Sequence, residues 1–294
     1  MENRHINIVH AVINEHGPIF ADLIELLTDN LQLGGYPVSH STNKIIQDKL
    51  NIIVGHTFVL RREDFTAIRN AGAPYIVLQM EALDELDGFK QRIPDYMDFL
   101  KSCRQVWDYS PTNVKYLKDR GCPDVRQIPI GYSSRLERIV HAETKDIDVF
   151  FYGSMTARRQ NILAQFKDRG AQVFGVFRAY GPERDKMIAR SKIVLNLHQF
   201  DLPHLEEVRI AYLLNNHCFV LSETSDYNPY GEGVVFSDYD SIVDCGLSYL
   251  QTNMQVERER IAEIGYSAIK KIPTMEHMRS ALEEFFANTP PPTA

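Results

Sequence analysis

Cysteine is scarce in this chain: four in 294 residues, with a single tryptophan. Cys103, Cys122, Cys218 and Cys245 form no C-x-x-C pair, and no histidine stands at zinc-ligand spacing from them. They read as reduced, packed thiols, and no metal site is expected. Long apolar runs are missing too, since none approaches the roughly 20 residues that cross a bilayer. Met1 to His10 lacks a basic region followed by an apolar core and a small-residue cleavage site, so no signal peptide is expected. A soluble, cytoplasmic protein is the expectation. Nor is there an excess of positive charge: 32 Lys and Arg against 39 Asp and Glu leave a net charge of −7. Such a field repels polyanions unless the cations gather on one face, which disfavours a nucleic-acid partner.

What is present is the composition of a globular protein, 44% hydrophobic and 24% charged. Short apolar runs alternate with segments of helical spacing, the pattern of a parallel sheet wrapped by helices. In the first half the strand-like runs are INIVHAV, YPVSHS, NIIVGH, YIVLQME, QVWDYS and VRQIPIGY, with the amphipathic IFADLIELLTDNLQL closing on Gly34-Gly35. SSRLERIVHAETKD, after Tyr132, is polar and weakly periodic and reads as a surface linker near 133–146. The alternation then restarts with IDVFFYGS, the helical ARRQNILAQFKDRG, AQVFGVF, ERDKMIARS, KIVLNLH, a further helix and CFVLSE. The fold class expected is α/β with two Rossmann-like domains, residues 1–135 and 146–275. A C-terminal helix and tail, 276–294, should end in the frayed NTPPPTA, because proline cannot continue a helix.

Open α/β sheets bind ligands beyond the carboxyl ends of their strands. That rule alone selects His16, His56, Glu81 and Asp108 in the first half. In the second half it selects Gly153-Ser154, Tyr180-Gly181, His198 and Ser222-Glu223. In YGSMTARRQ, Gly153 and Ser154 let the backbone approach an anion, a following helix points its amides at it, and Arg158 and Arg159 can fork onto phosphate oxygens. The motif has neither the P-loop lysine nor a full G-x-G-x-x-G, and two solvated arginines explain it equally well. In YGPERDKMIAR, the turn at Tyr180-Gly181 either opens a solvated helix or lines a base pocket.

HLEEVRIAYLLNNHCFVLSE places Glu206 and Glu207 in the first turn of a helix that starts near Pro203 and stops at Asn215-Asn216. Acids there gain roughly 0.3–1 kcal/mol from the helix dipole, and Glu206 can pair with Arg209. Their position after the strand KIVLNLH favours a binding role for one of them. Glu207 is expected to accept the two hydroxyls of a ribose, and Glu206 to serve the dipole.

As a set, DIDVFFYGSMTARRQNIL, YGPERDKMIARSKIVLNLHQF and EEVRIAYLLNNHCFVLSE resemble the nucleotide-sugar-binding half of two-Rossmann-domain (GT-B type) glycosyltransferases, nearest to the group 1 and spore-maturation-protein-like members. The likeness covers about residues 146–275 well and the first half more loosely, through YIVLQMEAL and VWDYSPTNVKYL. It implies two domains facing across a cleft, C-terminal helices packing back, and no cofactor beyond the donor substrate, a nucleotide-diphosphate sugar, with UDP-sugar the first expectation. It implies that Gly153, Ser154, Arg158 and Arg159 border the diphosphate and that Glu207 holds the ribose. The common pattern of two glutamates eight positions apart is broken, because Gln199 stands eight before Glu207. Retention of configuration is thereby in doubt, and the sugar-contacting role falls to Gln199 or His198.

A transferase of this kind needs a base for the acceptor hydroxyl, and His16 is the first candidate, with His198 second. The acceptor is open among a glycan, a small molecule, a protein and, against the net charge, a nucleic acid; Lys44, Lys49, Arg61 and Arg62 are too few to mark a basic stripe. A non-catalytic nucleotide- or sugar-binding protein of the same fold is the competing reading. Nothing in the sequence speaks to oligomeric state.

Overall fold

The computed structural model describes residues 4–12, 18–55, 62–83 and 93–288. His16, His56 and Arg61 lie outside the described residues, as does the terminal tail. The chain divides into two compact units, residues 1–130 with 273–294, and Gly131–Ile272.

The first unit is built on six parallel strands: β1 (Ile6–His10), β2 (Val38–Thr42), β3 (Leu50–Val54), β4 (Tyr75–Gln79), β5 (Val106–Asp108) and β6 (Val125–Gln127). Helices α1 (Ala21–Leu33), α2 (Arg62–Asn70), α3 (Ile93–Ser102) and α4 (Pro111–Asp119) fill most of the connections. The sheet order is β2-β1-β3-β4-β5-β6. β3 is buried at every position, as a central parallel strand covered on both faces should be. One face packs on Val9, Ile53, Val77 and Val106 with Phe65, Phe99 and Leu100.

The connection from β2 to β3 has no helix. The fully buried Asn51 holds it instead: its Oδ1 accepts from the Ile46 amide (2.9 Å) and from Asn7 Nδ2 (3.1 Å), and its Nδ2 donates to the carbonyls of Ile46 and Lys49 (both 2.9 Å) and Pro74 (3.2 Å). A buried amide so completely paired replaces the backbone ladder the irregular segment lacks.

The second unit carries β7 (Ile147–Tyr152), α5 (Ala157–Asp168), β8 (Val173–Val176), α6 (Gly181–Ala189), β9 (Ser191–Asn196), α7 (Glu207–Asn215), β10 (Val220–Glu223), β11 (Val235–Ser237), α8 (Ile242–Leu250) and α9 (Gln255–Ile269). Its five strands are all parallel, in the order β11-β10-β9-β7-β8. β11 and α8 were not legible as elements in the sequence; three residues of strand give too short a period to detect. The polar stretch read as a linker belongs to this unit. Asn215 Oδ1 accepts from the Ser133 amide, and Asn216 Oδ1 from the Arg138 and Ile139 amides, all at 2.9 Å. The two asparagines that stop α7 therefore also tether the segment.

The last helix, α10 (Thr274–Ala287), belongs with the first unit rather than standing apart. It packs against α1 through Met278, Ala281, Leu282 and Phe285 on its buried face. Thr274 Oγ1 donates to the Pro129 carbonyl (2.9 Å), and Gln105 Nε2 donates to that of Ala281 (3.1 Å). No described helix is long and apolar enough to cross a membrane.

Candidate functional site

In each sheet the chain reverses its direction of travel at one place. For the second unit that is between β7 and β9, where the connections leave to opposite faces and a crevice opens at the carboxyl ends. Gly153, just past β7, has φ +140°, a region that side chains rarely adopt. A Cβ there would also stand 2.9 Å from Arg209 Nη2. The bare backbone thus lets a guanidinium lie against the turn.

Arg209, in the first turn of α7, is aimed by Asn196 at the end of β9: its Nη1 donates to Asn196 Oδ1 (2.8 Å). The Asn196 amide donates in turn to Glu206 Oε2 and Ser222 Oγ, both at 2.9 Å. Glu206 Oε2 lies 3.0 Å from His198 Nδ1, and His198 Nε2 lies 3.0 Å from the Thr224 carbonyl. Both ring nitrogens face acceptors that cannot donate, so both bonds form together only in the imidazolium. Burial alone would lower the His198 pKa; the hydrogen bond and charge of Glu206 outweigh it and hold it above the ordinary value. Burial would raise Glu206, but His198, Arg209 and the Asn196 amide hold it down to about 2. The result is a fixed carboxylate–imidazolium pair.

The two arginines after β7 are spent internally. Arg159, 2% exposed, donates through Nε and Nη2 to the Leu197 carbonyl (3.1 and 2.6 Å) and through Nη1 to that of Ser154 (3.1 Å). It staples the turn after β7 to the one after β9. Burial, with the charge of Arg209, pushes its pKa down to about 10. Arg158 forks onto Glu223, Nη1 to Oε2 at 2.6 Å and Nη2 to Oε1, and lies 3.9 Å over the Tyr239 ring. Glu223 Oε2 also accepts from the His198 amide (3.0 Å).

Gly153, Ser154, Arg158, Arg159, His198 and Glu206 are therefore brought together. Three of them take roles the sequence did not suggest. The arginines hold turns instead of standing free for phosphate, and His198, 3% exposed with both nitrogens engaged, positions Glu206 and is no free base. The two acids differ in exposure. α7 starts at Glu207, four residues after Pro203, with Glu206 as its N-cap residue. Glu207 is 2% exposed and shares the buried face with Ile210, Ala211 and Leu214, whereas the Glu206 side chain is 23% exposed and turned to the crevice cluster. Tyr180 is the N-cap residue of α6 and Gly181 its first residue, beyond the carboxyl end of β8; among the described residues no hydrogen bond or ion pair joins them to the cluster. Arg209 and Asn196 were missed as site residues. The available signal was a lone Asn in the apolar run IVLNLH, where a buried amide needs polar company.

At the carboxyl edge of the first sheet, Asp108 is fully buried. Its Oδ1 accepts from the Ser110 amide and its Oδ2 from Gln79 Nε2, both at 2.8 Å. Burial, against those hydrogen bonds, raises its pKa to about 8. Gln79 and Asn113 also grip the Glu81 carbonyl, at 2.7 and 2.8 Å. Burial raises the Glu81 carboxyl to about 7. No group of three or more metal-ligating side chains occurs among the described residues.

No protein-family model matches the chain. An uncharacterized protein of Acanthamoeba polyphaga mimivirus is 31% identical over 188 residues, covering 58% of this chain and 60% of that one. A second from the same virus is 28% identical over 202 residues, 64% of this chain and 22% of that one, so the chain spans less than two thirds of these relatives' length. Among solved structures, HepE of Anabaena in complex with UDP-glucose superposes with a TM-score of 0.68 at 10% identity, over 97% of this chain and 100% of that one. The α,α-trehalose 6-phosphate synthase of Burkholderia multivorans gives 0.64 at 10% identity, over 97% and 99%. The likeness is one of fold: two parallel α/β units of the GT-B type.

Proposed function

We propose that the chain is a cytoplasmic glycosyltransferase that binds a nucleotide-diphosphate sugar, in the first instance a UDP-sugar, on its second unit and moves the sugar to an acceptor hydroxyl. The observation that carries the reading is the crevice between β7 and β9, where Arg209 Nη2 lies against the bare backbone of Gly153 beside the amides that open α5. Those are anion-binding features of a helix start. In this reading the diphosphate sits on the Gly153-Ser154 turn. Arg209 and the amides carry the charge that the departing diphosphate gains, without a metal. Glu206, ionised at every working pH, accepts hydroxyls of the ribose or sugar, and His198, Asn196, Arg158 and Arg159 keep the turns in register.

Calorimetric titration with UDP and UDP-glucose tests this. Binding is expected, unchanged by EDTA and weakened at least tenfold by Arg209→Ala, since charged hydrogen bonds contribute about 1.5–3 kcal/mol. A folded protein that binds no nucleotide overturns the reading. The second reading, a non-catalytic nucleotide-sugar binder, draws support from Gln199 in place of a glutamate and from the internal engagement of both arginines. UDP-glucose that is bound yet neither hydrolysed nor transferred to a panel of glycans, small alcohols and proteins selects it.

A further inference from the structure

Of the arginines near the carboxyl end of β7, Arg158, Arg159 and Arg184 are each closed by an acid. Arg158 forks onto Glu223, Arg159 lies 3.7 Å from Glu206, and Arg184, buried on α6, pairs with Asp185 at 2.9 Å. Arg209 differs: among the described residues no carboxylate forms an ion pair with it. The acid that feels its charge, Glu206, is taken up by His198 and the Asn196 amide.

What holds Arg209 is neutral. Asn196 Oδ1 accepts from its Nη1, and its Cζ stands 5.3 Å from the centre of the Tyr152 ring and 5.6 Å from that of Phe151. These are the last two residues of β7, so their side chains leave on opposite faces of the sheet and the guanidinium lies across the strand end, against Gly153. An aromatic face attracts a cation through its quadrupole and leaves the charge uncancelled. A carboxylate in the same place would fix the side chain as firmly, but it would cancel the charge that an incoming anion must find.

The two rings are not equivalent. Phe151 is fully buried among Val149, Ile162 and Leu195 and belongs to the core. Tyr152 is half-buried, and its ring is set by its surroundings: Phe150 stacks on it with centroids 5.8 Å apart, and Arg184 Cζ lies 5.6 Å from its centre. Arg184 is itself fixed, 3.9 Å over the Tyr212 ring, whose hydroxyl donates to Asp185 Oδ1 at 2.7 Å. The ring facing Arg209 is thus braced from α6 and α7.

We infer that Tyr152 is the positioning residue for Arg209: its ring face holds the guanidinium against the Gly153 turn at full charge and so sets the preference for a diphosphate over an uncharged nucleoside. It touches no reacting atom. The inference rests on the reading of the second unit as a UDP-sugar site.

Calorimetric titration of wild type, Tyr152→Phe and Tyr152→Met with uridine and with UDP tests it. Tyr152→Met keeps apolar bulk and removes the ring face. It should bind UDP about five- to tenfold more weakly than wild type, while uridine binding stays within about a factor of two, since only the diphosphate meets Arg209. Tyr152→Phe keeps the face and should bind UDP within about a factor of two of wild type. Arginine side-chain NMR of the wild type adds a measurement that needs neither a variant nor a nucleotide. Nuclear Overhauser contacts should join the Arg209 guanidinium to the Tyr152 ring protons, and the Arg209 signals should move on addition of inorganic pyrophosphate. A folded Tyr152→Met that binds UDP as wild type does, a loss shared equally by uridine and UDP, or a Tyr152→Phe as weak as Tyr152→Met would each overturn the inference. So would an Arg209 signal with no contact to the Tyr152 ring or no response to pyrophosphate, which decides the matter even if Tyr152→Met does not fold. Absence of UDP binding in the wild type would instead defeat the glycosyltransferase reading and leave the NMR result to decide on Tyr152.

Discussion

An imidazolium buried against a carboxylate ties the second unit to pH. The folded His198 pKa lies above 6.5, so its stabilisation is complete below pH 6.5 and fades as pH rises through the elevated value. His198→Gln should cost about 2 kcal/mol at pH 6 and much less at pH 9, measured by urea unfolding at both. Asp108 works on the first unit over a different window. Its folded pKa of about 8 against an unfolded 3.8 means stability is greatest below pH 4 and is lost as pH rises to 8. Asp108→Asn should flatten that dependence, and an unaltered slope would show that another group sets it. The sequence located the strand ends that carry His198, Asp108 and Gly153, because apolar runs mark where strands stop. It did not show which way each side chain faces. Glu206 and Glu207 differ by one position, and only the true start of α7 decides which is buried.

Elements meet most closely in the second unit where the short turn Gly231–Gly233 crosses α9. A Cβ on Gly233 would lie 2.3 Å from Gly265 Cα, and one on Gly265 would lie 2.7 Å from the Gly233 carbonyl oxygen. Gly265→Ala should therefore destabilise by about 1–3 kcal/mol through overpacking, although alanine is the better helix former. A raised melting temperature would contradict the packing. Nothing in the sequence of α9 explains the glycine inside it; its purpose lies in a partner 32 positions away. The helix-free crossover before β3 is the same kind of case, since Asn51 within a hydrophobic strand gives no hint that it gathers three carbonyls.

At the scale of the whole chain, alternating apolar and amphipathic segments were enough to give two parallel α/β units, while the assignment of α10 to the first of them depends on contacts far apart in sequence. Ending the chain at Ile272 should uncover the part of α1 that α10 packs against and lower the melting temperature of the first unit. The second unit's transition should stay in place, a contrast that scanning calorimetry resolves. The same arrangement sets an order of events during synthesis. Domains ordinarily fold in the sequence in which they are made. Here the unit begun first waits for its last helix until Gly131–Ile272 has been translated, on the order of ten seconds at bacterial-to-eukaryotic elongation rates. During that interval the nascent chain carries α1 on its sheet without the helix that packs against it, and the second unit, though begun later, is the first that can be complete.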